Sequence, residues 1–194
     1  VALQQRGDLA GAEKLYRSIL KQHPKHFQSL SNLGSVLLLA ERVEEAIECL
    51  RGALNQKPDS AVVQTLLARA LAMVDRHDAA LERVRRAIAL DPNLPEAHAI
   101  EAQVLADTGR YDEAAAALGR AIELAPERAG FYHYWGHITR WRAGDPRLAA
   151  LEALFRTRAS RPLPEQIELS FALAKAYADL GDIDRAFPLL IEGG

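Results

Sequence analysis

Apolar residues recur along the chain at intervals of three and four, which is the period of an amphipathic helix. One clear stretch contains Ile47, Leu50 and Leu54, and another contains Leu81 and Val84. No stretch alternates between apolar and polar residues, as a half-buried strand would. The pattern therefore predicts an all-α fold.

Helix boundaries recur with a fixed period. Pro24, Pro58, Pro92 and Pro126 stand 34 residues apart. A proline that follows a helix ends it, and 34 residues is the period of a repeated helix–turn–helix unit. The sequence therefore predicts a single stack of antiparallel helix pairs, incomplete at both ends. The expected units are 1–26, 27–60, 61–94, 95–128, 129–162 and 163–194, with the stub of an earlier helix at residues 1–5.

Small residues follow the same period, at one position of the first helix in each pair and at two positions of the second. These residues are Gly34, Ala68 and Ala102, then Ala46, Ala80 and Ala114, then Ala53, Ala87 and Ala121. Small side chains let neighbouring helices approach closely, whereas large ones would overpack the contact. We expect all of them to lie where helices touch.

These residues resemble the pattern of the tetratricopeptide repeat family. One unit matches it with Leu33-Gly34, Ala46, Leu50, Ala53 and Pro58, and another with Tyr111, Ala114, Leu118, Ala121 and Pro126. The resemblance covers nearly the whole chain. It implies a right-handed superhelical solenoid of about five to six repeats. It also implies a non-catalytic scaffold that binds a protein or peptide in a concave groove.

The fifth unit departs from the period. Gly136 and Ala174 are separated by four residues more than the repeat allows. Gly144-Asp145-Pro146 is expected to form a turn, and residues 160–164 a stiff linker. Because insertions in repeat proteins map to loops, the extra length is either simple drift or a bend that reshapes the groove.

Aromatic residues gather in the fifth unit, between Phe131 and Arg142. Tyr132, Trp135, Gly136 and Thr139 occupy the packing positions of the family pattern, so we expect them in the core.

A second set, His133, His137, Arg140 and Trp141, follows steps of four, three and four and is expected to share the other helix face. The resemblance implies that this face lines the groove, where aromatic and arginine side chains anchor partners. Trp141→Ala is then expected to weaken partner binding without loss of stability. Contact with the lengthened loop or with a downstream domain is the alternative. A metal site is not favoured, because the two histidines lack an evident third ligand.

Other units supply groove candidates by the same phase: Ser31, Asn32, Ser35, Arg69, Gln103 and Lys175. Relatives that grip the carboxylate end of chaperone peptides place lysine and asparagine at set positions. Here those positions hold Ser31, Ser35, Thr65 and Arg69, so chaperone co-factor activity is not expected.

Composition narrows the function further. The chain has 194 residues and a net charge of −2, which argues against nucleic acid as a partner. Cys49 is the single cysteine, so no internal disulfide forms and a cytoplasmic location is expected, although a leader before Val1 stays open. No run has the length of a membrane span. No catalytic motif is present, so neither enzyme activity nor a cofactor is expected.

The C-terminal region adds two alternatives. The run from Leu163 to Gly193 resembles the last repeat before the sulfotransferase domain of bacterial proteins that join the two. That resemblance implies an accessory role, in which this chain positions substrate or pairs subunits beside a downstream catalytic domain. The last helix also carries Phe187, Leu190 and Ile191, so self-association through it is a further possibility.

Overall fold

The computed structural model describes residues 8–192, and every regular element in that range is helical. The elements are α1 (Leu9–Gln22), α2 (Phe27–Leu39), α3 (Val43–Gln56), α4 (Ala61–Ala72), α5 (His77–Leu90), α6 (Pro95–Asp107), α7 (Tyr111–Leu124), α8 (Ala129–Ile138), α9 (Pro146–Arg156), a 3-10 turn (Arg158–Ser160), α10 (Leu163–Asp179) and α11 (Ile183–Glu192). The prediction of an all-α fold is confirmed. The expected helix stub at residues 1–5 lies outside the described residues.

On a larger scale than the repeats, the chain divides into two compact units, Val1–Thr108 and Gly109–Gly194, which we call the first and the second unit from here on. The described part of the first unit contains α1 to α6, and that of the second contains α7 to α11 with the 3-10 turn. The first helices of successive pairs, α2, α4, α6, α8 and α10, begin 34 residues apart. The four periodic prolines each lie just past the end of a second helix, where the sequence predicts them.

The turns inside the helix pairs share one backbone conformation. Glu41 and Asp75 have positive φ angles of 57° and 56°, and Gly109 and Gly181 occupy the corresponding turns. The Arg42 amide donates to the carbonyl of Leu37 at 2.9 Å, as expected for a helix that ends on a left-handed residue. Glycine adopts this conformation without steric cost, whereas Glu41 and Asp75 are strained.

A hydrogen bond joins the start of several first helices to the turn before them. In each case the fourth residue of the helix donates from its side chain to the carbonyl of the periodic proline, six residues earlier. The bonds run from Gln64 to Pro58 at 3.0 Å, from His98 to Pro92 at 2.9 Å and from Tyr132 to Pro126 at 2.9 Å. We call this the proline-carbonyl bond.

The predicted small residues lie in the core, and all nine are buried. Gly34 shows why size matters there. A Cβ atom added to it would lie 2.6 Å from Cγ of Leu50, which is closer than carbon atoms pack. This part of the sequence argument is confirmed.

The extra length of the fifth and sixth repeats lies partly in a helix. Helix α10 has 17 residues, whereas α2 and α6 have 13 each, so it carries about one additional turn. Leu163 and Pro164 begin that helix, so the prediction that they belong to a linker is wrong. Proline is compatible with the first helical turn, because its missing N–H has no partner to lose there.

Candidate functional site

The aromatic cluster of the second unit begins on α8. Tyr132, Trp135 and Gly136 are buried, which confirms the predicted packing face. Thr139 follows the helix, is half-buried, and its hydroxyl donates to the carbonyl of Trp135 at 3.1 Å.

The expectation that Trp141 lies on an open helix face is wrong. Helix α8 ends at Ile138, and Thr139 is extended, with φ −132° and ψ 171°. The chain therefore turns inward, and the Trp141 side chain is 2% exposed. Its backbone N–H donates to Oδ2 of Asp179 at 3.1 Å, and its ring meets Trp135 edge to face at 6.4 Å between centroids. Helical spacing does not apply to Trp141, because the helix ends at Ile138.

Arg140 also lies beyond the helix and is separated from the histidines. It is exposed, and its Nε atom is 4.0 Å from Oδ1 of Asp179. It lines a cavity of ≈ 400 Å³ together with Thr139, Arg142 and Arg147. Neither histidine lines that cavity, so the structure does not bring the four predicted anchors together.

Three of the predicted groove residues, two of these anchors and Lys175, do come together. His133 and His137 of α8 and Lys175 of α10 line a second cavity, of ≈ 290 Å³. Phe171 of α10 and Leu190 of α11 supply much of its apolar lining. We call it the histidine cavity and define it by these five residues. It combines an apolar wall with nitrogen donors, as small binding sites in proteins commonly do.

The two histidines are in direct contact. Their Nε2 atoms are 3.0 Å apart, and the ring centroids are 4.6 Å apart. Burial lowers the pKa of His133, and the neighbouring His137 lowers it further, while Glu168 opposes the shift. Neutral imidazole is therefore favoured at His133.

Lys175 is not a free cation at the cavity. Its Nζ atom lies 2.6 Å from both carboxylate oxygens of Asp179, so the ammonium is neutralised locally. Its aliphatic stem packs beside Gly136, whose added Cβ would lie 3.1 Å from Cγ of Lys175. Lys175 thus contributes mostly apolar surface to the cavity.

The candidates of the first unit are distributed over α2, α4 and α6. Ser31 is buried, so the expectation that it is open to a partner is wrong. Asn32 is half-buried and accepts a hydrogen bond from Gln28 at 2.9 Å. Ser35, Arg69 and Gln103 are half-buried on the three helices. Their role in partner binding stays a prediction.

Phe171 was missed from the sequence, and Leu190 was predicted only as a residue for self-association, not as part of a cavity. Phe171 stands four residues before Lys175, just as His133 stands four residues before His137. The same step along α10 would have identified Phe171. Leu190 had no such signal, since it belongs to a second helix, and second helices were not expected to line the groove.

Two other kinds of chemistry are disfavoured in the described part of the chain: thiol reactivity and a metal site with three or more protein ligands. Cys49 is half-buried, and burial raises the pKa of its thiol, which disfavours the reactive thiolate. Between residues 8 and 192, no cluster of three or more metal-binding side chains occurs. None of the helices in that range is long and apolar enough to cross a membrane.

The family pattern of the tetratricopeptide repeat matches residues 3–70 and 71–132. The chain therefore belongs to the tetratricopeptide repeat family, whose members are generally non-catalytic scaffolds for protein interactions. No curated protein sequence matches the chain.

Solved structures share the fold. TTC0263, a thermophilic TPR protein of Thermus thermophilus, has a TM-score of 0.68 and 21% identity, covering 98% of this chain and 95% of its own. A crystal structure of MamA has a TM-score of 0.62 and 23% identity, covering 95% of each chain. YrrB, described as a TPR protein with an unusual peptide-binding site, has a TM-score of 0.61 and 15% identity, covering 92% of this chain and 90% of its own.

Proposed function

We propose that this protein is an interaction scaffold that holds an extended peptide or a helix of a partner protein in the histidine cavity. The supporting observation is that His133 and His137, selected from helical spacing, and Lys175, selected from repeat phase, line one cavity although they come from two helices. YrrB, with the same fold, is described as having a peptide-binding site. Trp141 has no place in this proposal, because it is buried.

The lining indicates what the cavity binds. Phe171 and Leu190 offer apolar contact, and buried apolar area is the main source of affinity in such pockets. His137 is exposed at the edge and presents a ring N–H or a nitrogen acceptor, depending on its protonation. The partner segment is therefore expected to insert an apolar side chain and to place a polar group beside the histidines.

Leu190→Asp tests the proposal directly. Peptides selected on the native protein from a random peptide library are the probe, and fluorescence anisotropy measures their affinity. We expect Leu190→Asp to weaken binding about tenfold or more, because it places a charge in the apolar lining. Ile183→Asp is the matched control, since Ile183 is also exposed on α11 but does not line the cavity.

Equal losses from the two substitutions would contradict the proposal, because the effect would then reside in the helix as a whole. Retention of full affinity by Leu190→Asp would place the peptide elsewhere. Circular dichroism of both variants confirms that α11 remains folded in the comparison.

A second candidate function, pairing between copies of this chain, is favoured by the apolar surface of α11. Ile183, Phe187, Leu190 and Ile191 are all exposed there. Light scattering over a range of concentrations is the measurement, and Phe187→Ser is expected to convert a dimer to a monomer. A native protein that stays monomeric at all concentrations removes this candidate.

The remaining sequence expectations are part of the proposal. A cytoplasmic location rests on the single Cys49, and a protein rather than nucleic acid partner rests on the net charge of −2. The resemblance of the run after Leu163 to sulfotransferase-linked repeats stays a prediction. Sequencing the gene beyond Gly194 tests it, and a stop codon there would remove it.

A further inference from the structure

We propose that His133 and His137 together form a chelating site for a first-row divalent transition-metal ion, such as Cu²⁺, Ni²⁺ or Zn²⁺. The site lies at the edge of the histidine cavity, and the two ligands are the Nε2 atoms of adjacent helical turns. Imidazole nitrogen is a preferred ligand for these ions, whereas Mg²⁺ and Ca²⁺ prefer oxygen.

The distance between the two nitrogens fits a shared metal ion. A metal–nitrogen bond is about 2.0–2.1 Å long, so two nitrogens on one ion are separated by about 2.9 Å at a right angle and about 3.3 Å at the tetrahedral angle. The two Nε2 atoms share a hydrogen bond at 3.0 Å, and this separation falls in the same interval, so a metal ion can replace the shared proton without movement of the rings. Because the ring centroids are farther apart, at 4.6 Å, the two Nε2 atoms lie on the facing edges of the rings.

The surrounding charges permit a cation at this position. Lys175 lines the same cavity, but Asp179 neutralises its ammonium at 2.6 Å. Glu168 is close enough to His133 to favour positive charge on the ring. His137 is exposed, so an ion reaches the site from solvent without movement of the helix.

Two protein ligands leave coordination positions for other donors. Residues 8–192 supply no third His, Cys, Asp or Glu to the pair, so water completes the shell in the isolated protein. If the proposed function holds, a histidine, cysteine or carboxylate of the bound segment takes one of these positions. The metal would then strengthen partner binding at the histidine cavity.

Metal titration of the protein without any partner tests the site independently of the proposed function. We expect isothermal titration to show one site per chain, with Cu²⁺ binding more tightly than Ni²⁺ or Zn²⁺ and with no binding of Mg²⁺. Either His137→Ala or His133→Ala should weaken Cu²⁺ binding by roughly 100-fold, because the second ligand of a chelate acts at a high effective concentration.

His23→Ala is the control, because His23 is exposed on the first unit and far from this site in the sequence. It should leave the affinity unchanged. Electron paramagnetic resonance of bound Cu²⁺ should show two coordinating ring nitrogens in the native protein and one in His137→Ala. Metal binding that survives both substitutions, or the absence of a one-to-one site in the native protein, would overturn the proposal. His137 is exposed, so loss of fold does not confuse the result.

Discussion

The two units contain the same repeat, but they differ in how regular its helices and their packing are. In the first unit, the two complete helix pairs, α2–α3 and α4–α5, have turns of similar geometry, and small residues such as Gly34 meet large apolar neighbours such as Leu50. In the second unit, α8 is only 10 residues long, and the segment after it folds inward to bury Trp141. Gly136 there faces the stem of Lys175 and the ring of Trp141 rather than a leucine.

The difference shows how a repeat protein gains a specialised surface. Shortening a first helix by about one turn removes packing area, and the large Trp141 side chain restores it. The freed face of α8 then carries two histidines over an apolar cavity. The first unit keeps regular packing, whereas the second is less regular and contains the histidine cavity.

The largest effect should come from Trp141→Ala, which removes a large buried side chain from the core of the second unit. We expect a loss of about 3–5 kcal/mol in the free energy of unfolding, the cost of truncating a buried tryptophan. Urea denaturation followed by circular dichroism measures it. Arg140→Ala, an exposed neighbour, should stay within about 0.5 kcal/mol of the native protein. A Trp141→Ala variant with native stability would show that the ring is open to solvent.

The next effect distinguishes the two glycines at corresponding positions. Gly34→Ala should cost about 1–3 kcal/mol, because its Cβ would lie 2.6 Å from the branched carbon of Leu50. Gly136→Ala should cost less, since the nearest atom is 3.1 Å away on the flexible stem of Lys175. Thermal melting of the two variants provides the comparison. A larger loss for Gly136→Ala would mean that the second unit is the more tightly packed.

The turns predict effects of opposite sign in the two units. Gly109→Ala should destabilise the protein by about 1–2 kcal/mol through backbone strain alone, since φ is 78° and nothing lies within 4 Å of the added Cβ. Glu41→Gly should instead stabilise the first unit, by up to about 1 kcal/mol, because it relieves that same strain at φ 57°. Paired urea titrations measure both changes. A destabilising Glu41→Gly would show that the Glu41 side chain outweighs its strain.

The smallest effect concerns one hydrogen bond. Tyr132→Phe removes the donor to the Pro126 carbonyl and should cost about 0.5–1.5 kcal/mol. Tyr111→Phe alters a tyrosine that is exposed on α7 and should be close to neutral. Differential scanning calorimetry resolves the two variants. Equal melting temperatures would mean that the proline-carbonyl bond contributes nothing to stability.

The sequence predicts the fold well because its signals are local and repeated. Prolines that end helices, small residues at close contacts and a helical apolar period all recur in phase, so each unit supports the interpretation of the others. The burial of Ala46, Ala53 and Gly34 follows from that pattern. Each of these signals lies within one repeat, so the fold can be predicted without knowledge of contacts between distant residues.

The site was less predictable, because it depends on where one helix stops. Periodicity places Arg140 and Trp141 on the face of His133, but the helix ends at Ile138. That end is stabilised from elsewhere in the chain, by Asp179, which accepts a hydrogen bond from the Trp141 amide. A contact across 38 residues leaves no trace in a local pattern. His133, His137 and Lys175 lie within helices, so periodicity predicts their positions correctly.

The proline-carbonyl bond has a consequence for exchanging modules between such proteins. Its acceptor is always main chain, and its donor is an amide, an imidazole or a phenol in successive pairs. A donor therefore needs no particular partner side chain, only a proline turn six residues upstream. If two repeat proteins of this kind are fused between the proline of one and the donor residue of the other, the same hydrogen bond should form across the junction. Exchange of helix pairs at this position should therefore preserve the geometry between them.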